Sequence, residues 1–410
     1  MPGVELRHGW DIARISEMAS LVNGYPFASE LFTPDGEVPL VRIRDITAAD
    51  FETFVPRDAV PHTAWIQNDD LVIGMDGDFN AAIWRRKPAA LNQRVCLLRP
   101  RPGNDIRFIA YLLPEMLKVV NDLTYATTVK HLSSGDVTSQ HVARPNFEWQ
   151  RQIADYLDAH TAKIDTLIGK QERLIEALAE RRQAVISHAV TKGLDPNAVM
   201  KDSGVEWMGS IPSSWTVSRV RYIARILGGY SPEQVEPREM GPFPYFKVSD
   251  LNQADGNYSV ASAAEYMDQR ALTAPTGTIL FPKRGAAIFT NKVTISAVRA
   301  AIDTNLMGLL VNDLLVNPLF LLHWLKSRTL NELADTSTLP QINNKHIYPL
   351  QIGLPSLEAQ REITEHIDRE TTQIDSLAAK AREMIDVLKE RRQALISAAV
   401  TGKIDVRGLA

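Results

Sequence analysis

The basic and amide side chains of this chain fall into small groups whose types suit hydrogen bonding to phosphates and base edges and offer no bond-making chemistry. Arg42 and Arg44 stand two apart in the apolar run Val38 to Ile46. A strand there turns both guanidiniums to one face, beside Asn23 and Tyr25. Such groups read guanine edges or clamp phosphate, although a solvated strand face has the same composition. A similar run, Phe243 to Leu251, carries Lys247 and Ser249. Arg85, Arg86 and Lys87 form the densest basic cluster of the first half, after Asn80 and Trp84, and suit either a loop resting on phosphates or a plain surface charge run. Lys283, Arg284, Asn291 and Lys292 form its counterpart in the second half. Two polar turns complete the set: one with Lys130, His131 and Ser133, the other with Gln341, Asn343 and Lys345. Their residue types bond bases and phosphates, and are equally ordinary in turns.

Signatures of catalysis are missing. An amino-directed methyltransferase needs an Asp/Asn-Pro-Pro-Tyr/Phe tetrapeptide and a glycine-rich cofactor turn, and neither occurs. There is no Gly-x4-Gly-Lys-Ser/Thr loop for ATP, and one cysteine with nine scattered histidines gives no zinc spacing. We therefore expect no catalytic residue, no metal and no cofactor in this chain. An enzyme built from unfamiliar residues is the weakest reading, because no paired carboxylate or triad supports it.

The elements that carry these groups are organised by a repeat. Gln150-Arg151-Gln152-Ile153 through Glu180-Arg181-Arg182-Gln183 to Asp195 recurs as Gln360-Arg361-Glu362-Ile363 through Glu390-Arg391-Arg392-Gln393 to Asp405, with about 22 of 46 pairs identical and no gap. That offset is 210; a weaker correspondence at 205 matches Trp10, Arg14, Gly24 and Tyr25 to Trp215, Arg219, Gly229 and Tyr230, and Val38–Ile46 to Phe243–Leu251. The second globular part thus holds five extra residues between Leu251 and Pro355.

The repeated segments read as helices. Leu157, Ile164, Leu178 and Val185 recur at heptad spacing, and Ile153, Leu167, Leu174 and Arg181 complete an expected a/d seam. The second copy repeats it with Ile367, Ile374, Leu388 and Leu395, and with Ile363, Leu377, Met384 and Arg391. Arg181 and Arg391 are expected to bury their stems there and pair across the seam. A helix from 150 to 188 is roughly 55–60 Å long, too long for one small domain to cover, so each copy is the expected cover of the other. The globular parts alternate β-rich stretches with Gly, Pro and Asn/Asp turns, followed by apolar helical runs near Ile106–Val120 and Pro318–Leu333. The expected class is α+β, with domains at 1–149 and 196–359 and helices at 150–195 (with its linker) and 360–405.

Composition sets limits on function. The chain has 410 residues, 45% of them hydrophobic, and a net charge of −4. It lacks the strongly basic balance of a free-standing nucleic-acid binder, so phosphate contacts must be local or shared with a partner. Residues 1–8 have no apolar signal core, and the most apolar stretch, Met307–Leu325, is broken by Asn312, Asp313, Asn317 and Pro318, so no membrane span is expected. The lone Cys96 suits a reducing cytoplasm.

The half-units, the Gln-Arg-x-Ile opening and Glu-Arg-Arg-Gln-Ala-(Val/Leu)-Ile-Ser close of each helix, and Asp202 to Pro212 before Trp215 resemble the specificity subunits of Type I restriction-modification systems over nearly the whole length. The resemblance implies two target recognition domains, each reading half of a bipartite double-stranded DNA site. It implies an antiparallel coiled coil of the two helices as spacer, related by a pseudo-twofold duplication, and places the polar turns near DNA. It also implies docking of two methyltransferase subunits and of restriction/translocase subunits, which would carry S-adenosylmethionine, ATP and Mg. The alternative is a duplicated coiled-coil adaptor that organises proteins without reading DNA, which the negative charge favours.

Overall fold

The computed structural model describes residues 8–77, 79–123, 132–229, 237–256, 258–268, 273–335 and 340–407. Two compact units emerge: residues 1–170 with 384–410, and residues 171–383. Each therefore combines one globular domain, the first part of the long helix that follows it, and the last part of the other long helix.

In the first unit, four antiparallel strands run in the order Ala19–Asn23, Val95–Pro100, Leu71–Gly74, Ala81–Ile83. A second sheet is ordered Phe54–Val55, Val38–Val41, Ala89–Leu91, Trp65–Ile66, with Leu40 and Val41 pairing in parallel with Ala90 and Leu91. The second unit repeats both. Its first sheet runs Ala224–Gly228, Leu306–Val311, Ile279–Pro282, Thr294–Ser296, and gains one strand, Ser259–Val260, that falls within the stretch where the repeat offset grows. Its second has the order Tyr266–Met267, Phe243–Phe246, Ala300–Ile302, Thr273–Ala274, again with a parallel pair, Tyr245 and Phe246 against Ala301 and Ile302.

The long helices span Phe147–Lys192 and Leu357–Val400. Each starts directly after Pro145-Asn146 or Pro355-Ser356. Asn146 Oδ1 accepts the Trp149 amide (3.0 Å) and Ser356 Oγ the Ala359 amide (3.2 Å), satisfying first-turn donors. Gln150 and Gln360 lie fully buried one turn in. The Gln150 amide donates to Pro145 O and its Oε1 accepts the Asp105 amide; Gln360 likewise bonds Pro355 O, Leu315 O and the Asn317 amide. This gives the Gln-Arg-x-Ile opening its physical reason: the glutamine fastens the helix to the start of the domain's own apolar helix.

The core of the first unit joins Ile15, Met18, Leu98, Phe108 and Leu113 to Ile153 and Leu157 of the first long helix and to Ile396, Ala399 and Val400 of the second. That of the second unit joins Ile223, Phe281, Phe320 and Trp324 to Ile186, Ala189 and Val190, and to Ile363 and Ile367. The helix segments within a unit run antiparallel, which puts Asp165 against Arg392 (2.9 Å) in one unit and Asp375 against Arg182 (3.1 Å) in the other. These pairs are equivalent under the 210-residue offset.

The seam differs from the expected one on one side. Buried or half-buried positions are Leu157, Thr161, Ile164, Ile168, Gln171, Ile175, Leu178, Arg182, Val185 and Ala189, and, in the second helix, Ile367, Thr371, Ile374, Ala378, Ala381, Ile385, Leu388, Arg392, Leu395 and Ala399. The second member of each heptad pair thus follows the first by four residues, where three was expected. Leu167, Leu174, Leu377 and Met384 are 44, 45, 51 and 48% exposed. Arg181 and Arg391 are exposed as well, and their neighbours Arg182 and Arg392 make the cross-helix ion pairs. The cause is geometric: adjacent helical positions differ by about 100°, and the antiparallel partner covers the flank that holds Ile168, Ile175 and Ala378. Ile153 and Ile363 face the domain cores.

Candidate nucleic-acid interface

Arg42 and Arg44 do not share a strand face. The strand ends at Val41, and Ile43–Asp45 form a tight 3-10 turn. Asp45 is buried, and its carboxylate accepts the Arg42 amide (3.0 Å) and Nε (3.1 Å), which bends the chain inward. Arg42 is thereby committed to the turn. Arg44 stays exposed, 3.1 Å from Glu52. In the second unit the buried Asp250 accepts the Lys247 amide (2.7 Å), Lys247 reaches Glu265 (2.6 Å), and Ser249 is exposed. The aspartates that shape both turns stand at one offset, 205, so the repeat itself carries the signal for them.

Asn23 and Ser133 come together through Ser134, whose hydroxyl donates to Asn23 Oδ1 (2.6 Å), while Ser133 caps the short helix Ser134–Thr138. Exposed Tyr25 packs edge-on against Phe27. It is held by Gly24, where a Cβ would lie 1.8 Å from the Asn92 carbonyl oxygen; at Gly229 the equivalent distance to the Asp303 carbonyl is 1.7 Å. Only glycine permits that close backbone approach. Lys130 and His131 lie outside the described residues.

The first basic cluster divides. Asn80, Arg85 and Lys87 are exposed, Arg85 3.9 Å from Asp69. Arg86 lies 5.4 Å from both the Phe51 and Trp84 rings and is half-buried, so its guanidinium packs over aromatic faces. In the second unit, Ile342 donates to the Lys283 carbonyl and Gly285 to that of Pro340, which brings exposed Arg284 beside Gln341. Asn343 caps the turn Asn344–Ile347, and Lys345, well exposed, pairs with Asp335 (3.1 Å). Lys345 and His346 hold the Asp335 carboxyl below its ordinary range. Lys292 is half-buried. Asn291 is structural: in a left-handed conformation (φ 47°), it accepts the Leu330 amide and donates to the Lys326 carbonyl. Phe289, which the sequence reading passed over, is 59% exposed on the turn Ala286–Thr290 between Arg284 and Lys292. An aromatic ring flanked by basic residues was the signal for it.

Loop-borne cations, amides and the exposed rings of Tyr25 and Phe289 can bond phosphates and base edges. Among the described residues no group of three or more His, Cys, Asp or Glu is placed to hold a metal ion, and no helix is long and apolar enough to cross a membrane.

The family model for the Type I restriction modification DNA specificity domain matches twice, over residues 7–177 and 212–384. The EcoBI specificity subunit of Escherichia coli is 26% identical over 98% of this chain and 87% of its own length. The MjaVIII specificity subunit of Methanocaldococcus jannaschii is 21% identical over 100% and 96%. In fold, the chain resembles one from a study of complex assembly and conformational transition of the type I R-M system (TM-score 0.79, 18% identity, covering 98% of this chain and 100% of that one). It also resembles the HsdS subunit of Thermoanaerobacter tengcongensis (TM-score 0.57, 18% identity, 98% and 99%). With two copies of that domain over most of its length, this chain belongs to the Type I restriction-modification specificity family, whose two domains recognise DNA sequence.

Proposed function

We propose that each domain reads one half of a bipartite duplex target, that the two long helices set the unread gap, and that the same helices dock two methyltransferase subunits, with restriction/translocase subunits joining the assembly. One observation carries this reading: the duplication keeps the sheets and helices while the loops diverge, so the two halves offer equivalent but chemically different surfaces, Asn23, Tyr25, Arg44, Asn80, Arg85, Lys87 and Ser133 in one, Ser249, Arg284, Gln341, Asn343 and Lys345 in the other. Lys283 and Lys292 lend charge from half-buried stems. Arg42, Arg86, Lys247 and Asn291 shape these loops.

In this reading the chain is a cytoplasmic, non-catalytic reader, and S-adenosylmethionine, ATP and Mg belong to its partners. Its acidic balance leaves high affinity to the assembled complex, in which partners add phosphate contacts. The test is to co-express the chain with its methyltransferase and map modified adenines. A two-part motif with a constant gap is expected; scattered modification, or DNA binding with no sequence preference and weak salt dependence, refutes the reading in favour of an adaptor. Adding one heptad to both helices lengthens the spacer by about 10 Å, so the gap should grow by roughly three base pairs at about 3.4 Å each.

A further inference from the structure

The duplication offers an internal control, because the same helix-on-helix junction occurs once in each unit with different side chains. In the first unit the apolar helix Ile106–Leu123 starts at Asp105, whose amide is fixed by Gln150; in the second, Pro318–Ser327 starts at Asn317, whose amide is fixed by Gln360. Counting from these anchors, Arg107 corresponds to Leu319 and Tyr111 to His323. Across the junction Asp155, Asp158 and Thr161 correspond to Glu365, Asp368 and Thr371 at the 210 offset.

In the first unit this junction is filled. The Arg107 guanidinium reaches Asp155 and Asp158 at 2.7 Å each and Asp105 at 3.1 Å, and Tyr111 Oη donates to Asp158 (2.7 Å) beside Thr161 Oγ1 (3.3 Å). The second unit lacks both groups. Leu319 and His323 leave a cavity of about 180 Å³ lined by Tyr258, Leu319, His323, Thr364, Glu365, Asp368 and Thr371. Among the described residues Asp368 and Glu365 make no ion pair. His323 is 4% exposed, and its Nδ1 has no hydrogen-bond partner. Tyr258, which walls the cavity, is held at a positive φ of 59° and accepts a hydrogen bond from Arg182.

We propose that this cavity receives the guanidinium of an arginine side chain from a protein segment docked on the second unit, taking the place that Arg107 and Tyr111 occupy in the first. Two carboxylates line the cavity for the fork of N–H donors, as Asp155 and Asp158 serve Arg107 in the first unit. Desolvation, then the nearby Lys326 and Arg182, keep His323 neutral by lowering its pKa to about 3, so that it adds no positive charge beside the guanidinium. Those two cations do not line the cavity. Arg182 is paired with Asp375, and the Lys326 ammonium rests 4.4 Å from the Tyr258 ring.

The experiment titrates the full chain with the capped peptide Ala-Arg-Ala by calorimetry, with capped Ala-Leu-Ala and free argininamide as comparisons. Saturable binding of the arginine peptide, none of the leucine peptide, at least about a tenfold loss in Asp368→Asn and abolition in the double variant Leu319→Arg/His323→Tyr are expected. The double variant installs the first unit's own filling, so it should melt no lower than the parent. Asp368→Asn, close in shape to the original, keeps the test valid if the double variant does not fold. Binding of argininamide without the peptide would overturn a protein source for the guanidinium; binding of neither, or binding indifferent to Asp368→Asn, would overturn the site.

Discussion

Replacing one leucine of the first long helix and then another four residues away tests the register of the helix pair directly. Leu178 is 7% exposed and clusters with Ile374 and Ala378, whereas Leu174 is 45% exposed. Leucine-to-alanine removes three carbons, worth about 0.8 kcal/mol each when fully buried. At their observed burial this is about 2.2 kcal/mol for Leu178 and about 1.3 kcal/mol for Leu174. Leu178→Ala also leaves a hole against Ile374, which raises its cost to roughly 2.5–4 kcal/mol. At the exposed site solvent enters freely and no cavity forms. Urea unfolding of each variant, followed by far-UV circular dichroism, should therefore give a midpoint clearly lower for Leu178→Ala than for Leu174→Ala, with unchanged slope. Equal losses, or a greater loss at Leu174, would mean that the second seam position follows the first by three residues, and the antiparallel packing described above would be wrong.

Three further outcomes follow from the same structure. Gly24→Ala should yield no folded first unit, because its Cβ would meet the Asn92 carbonyl at 1.8 Å, and soluble expression with native-like melting would refute that contact. Asp45→Ala, which strips the cap from the Arg42 amide, should cost about 1–3 kcal/mol, read as a lower melting temperature, with Asp250→Ala behaving alike in the second unit. Burial holds His323 neutral, so the unfolded chain takes up a proton below about pH 6.5 that the folded chain refuses until about pH 3. Stability should be full above that upper value and fall as pH drops, by about 2 kcal/mol near pH 5, and His323→Phe should remove this part of the loss.

Much of the architecture was written in residue types and spacing. The 210-residue repeat marked the two long helices and the two domains that the family model matches. Gly24 and Gly229 matched across the repeat, but the need for them, a carbonyl under 2 Å from where a Cβ would sit, comes from Asn92 and Asp303, far away in sequence. The candidate interface was legible as composition and only partly as geometry. Arg44, Arg85 and Lys345 are exposed, whereas Arg42 and Arg86 are spent on a buried carboxylate and two aromatic rings that no local spacing announces.

The sequence by itself determined that each repeated segment is a helix with an apolar stripe through Leu157, Ile164, Leu178 and Val185, since heptad spacing is a property of the chain alone. Tertiary structure decided which flank of that stripe is covered. Leu167 and Leu174 are as apolar as Ile168 and Ile175, and one step of about 100° separates the two choices; only the antiparallel neighbour selects between them. Tertiary structure alone also decided that Ile396, Ala399 and Val400, near the end of the chain, complete the core that begins at Ile15 and Met18. A long helix must bury its last turns somewhere, and apolar burial has no direction along the sequence.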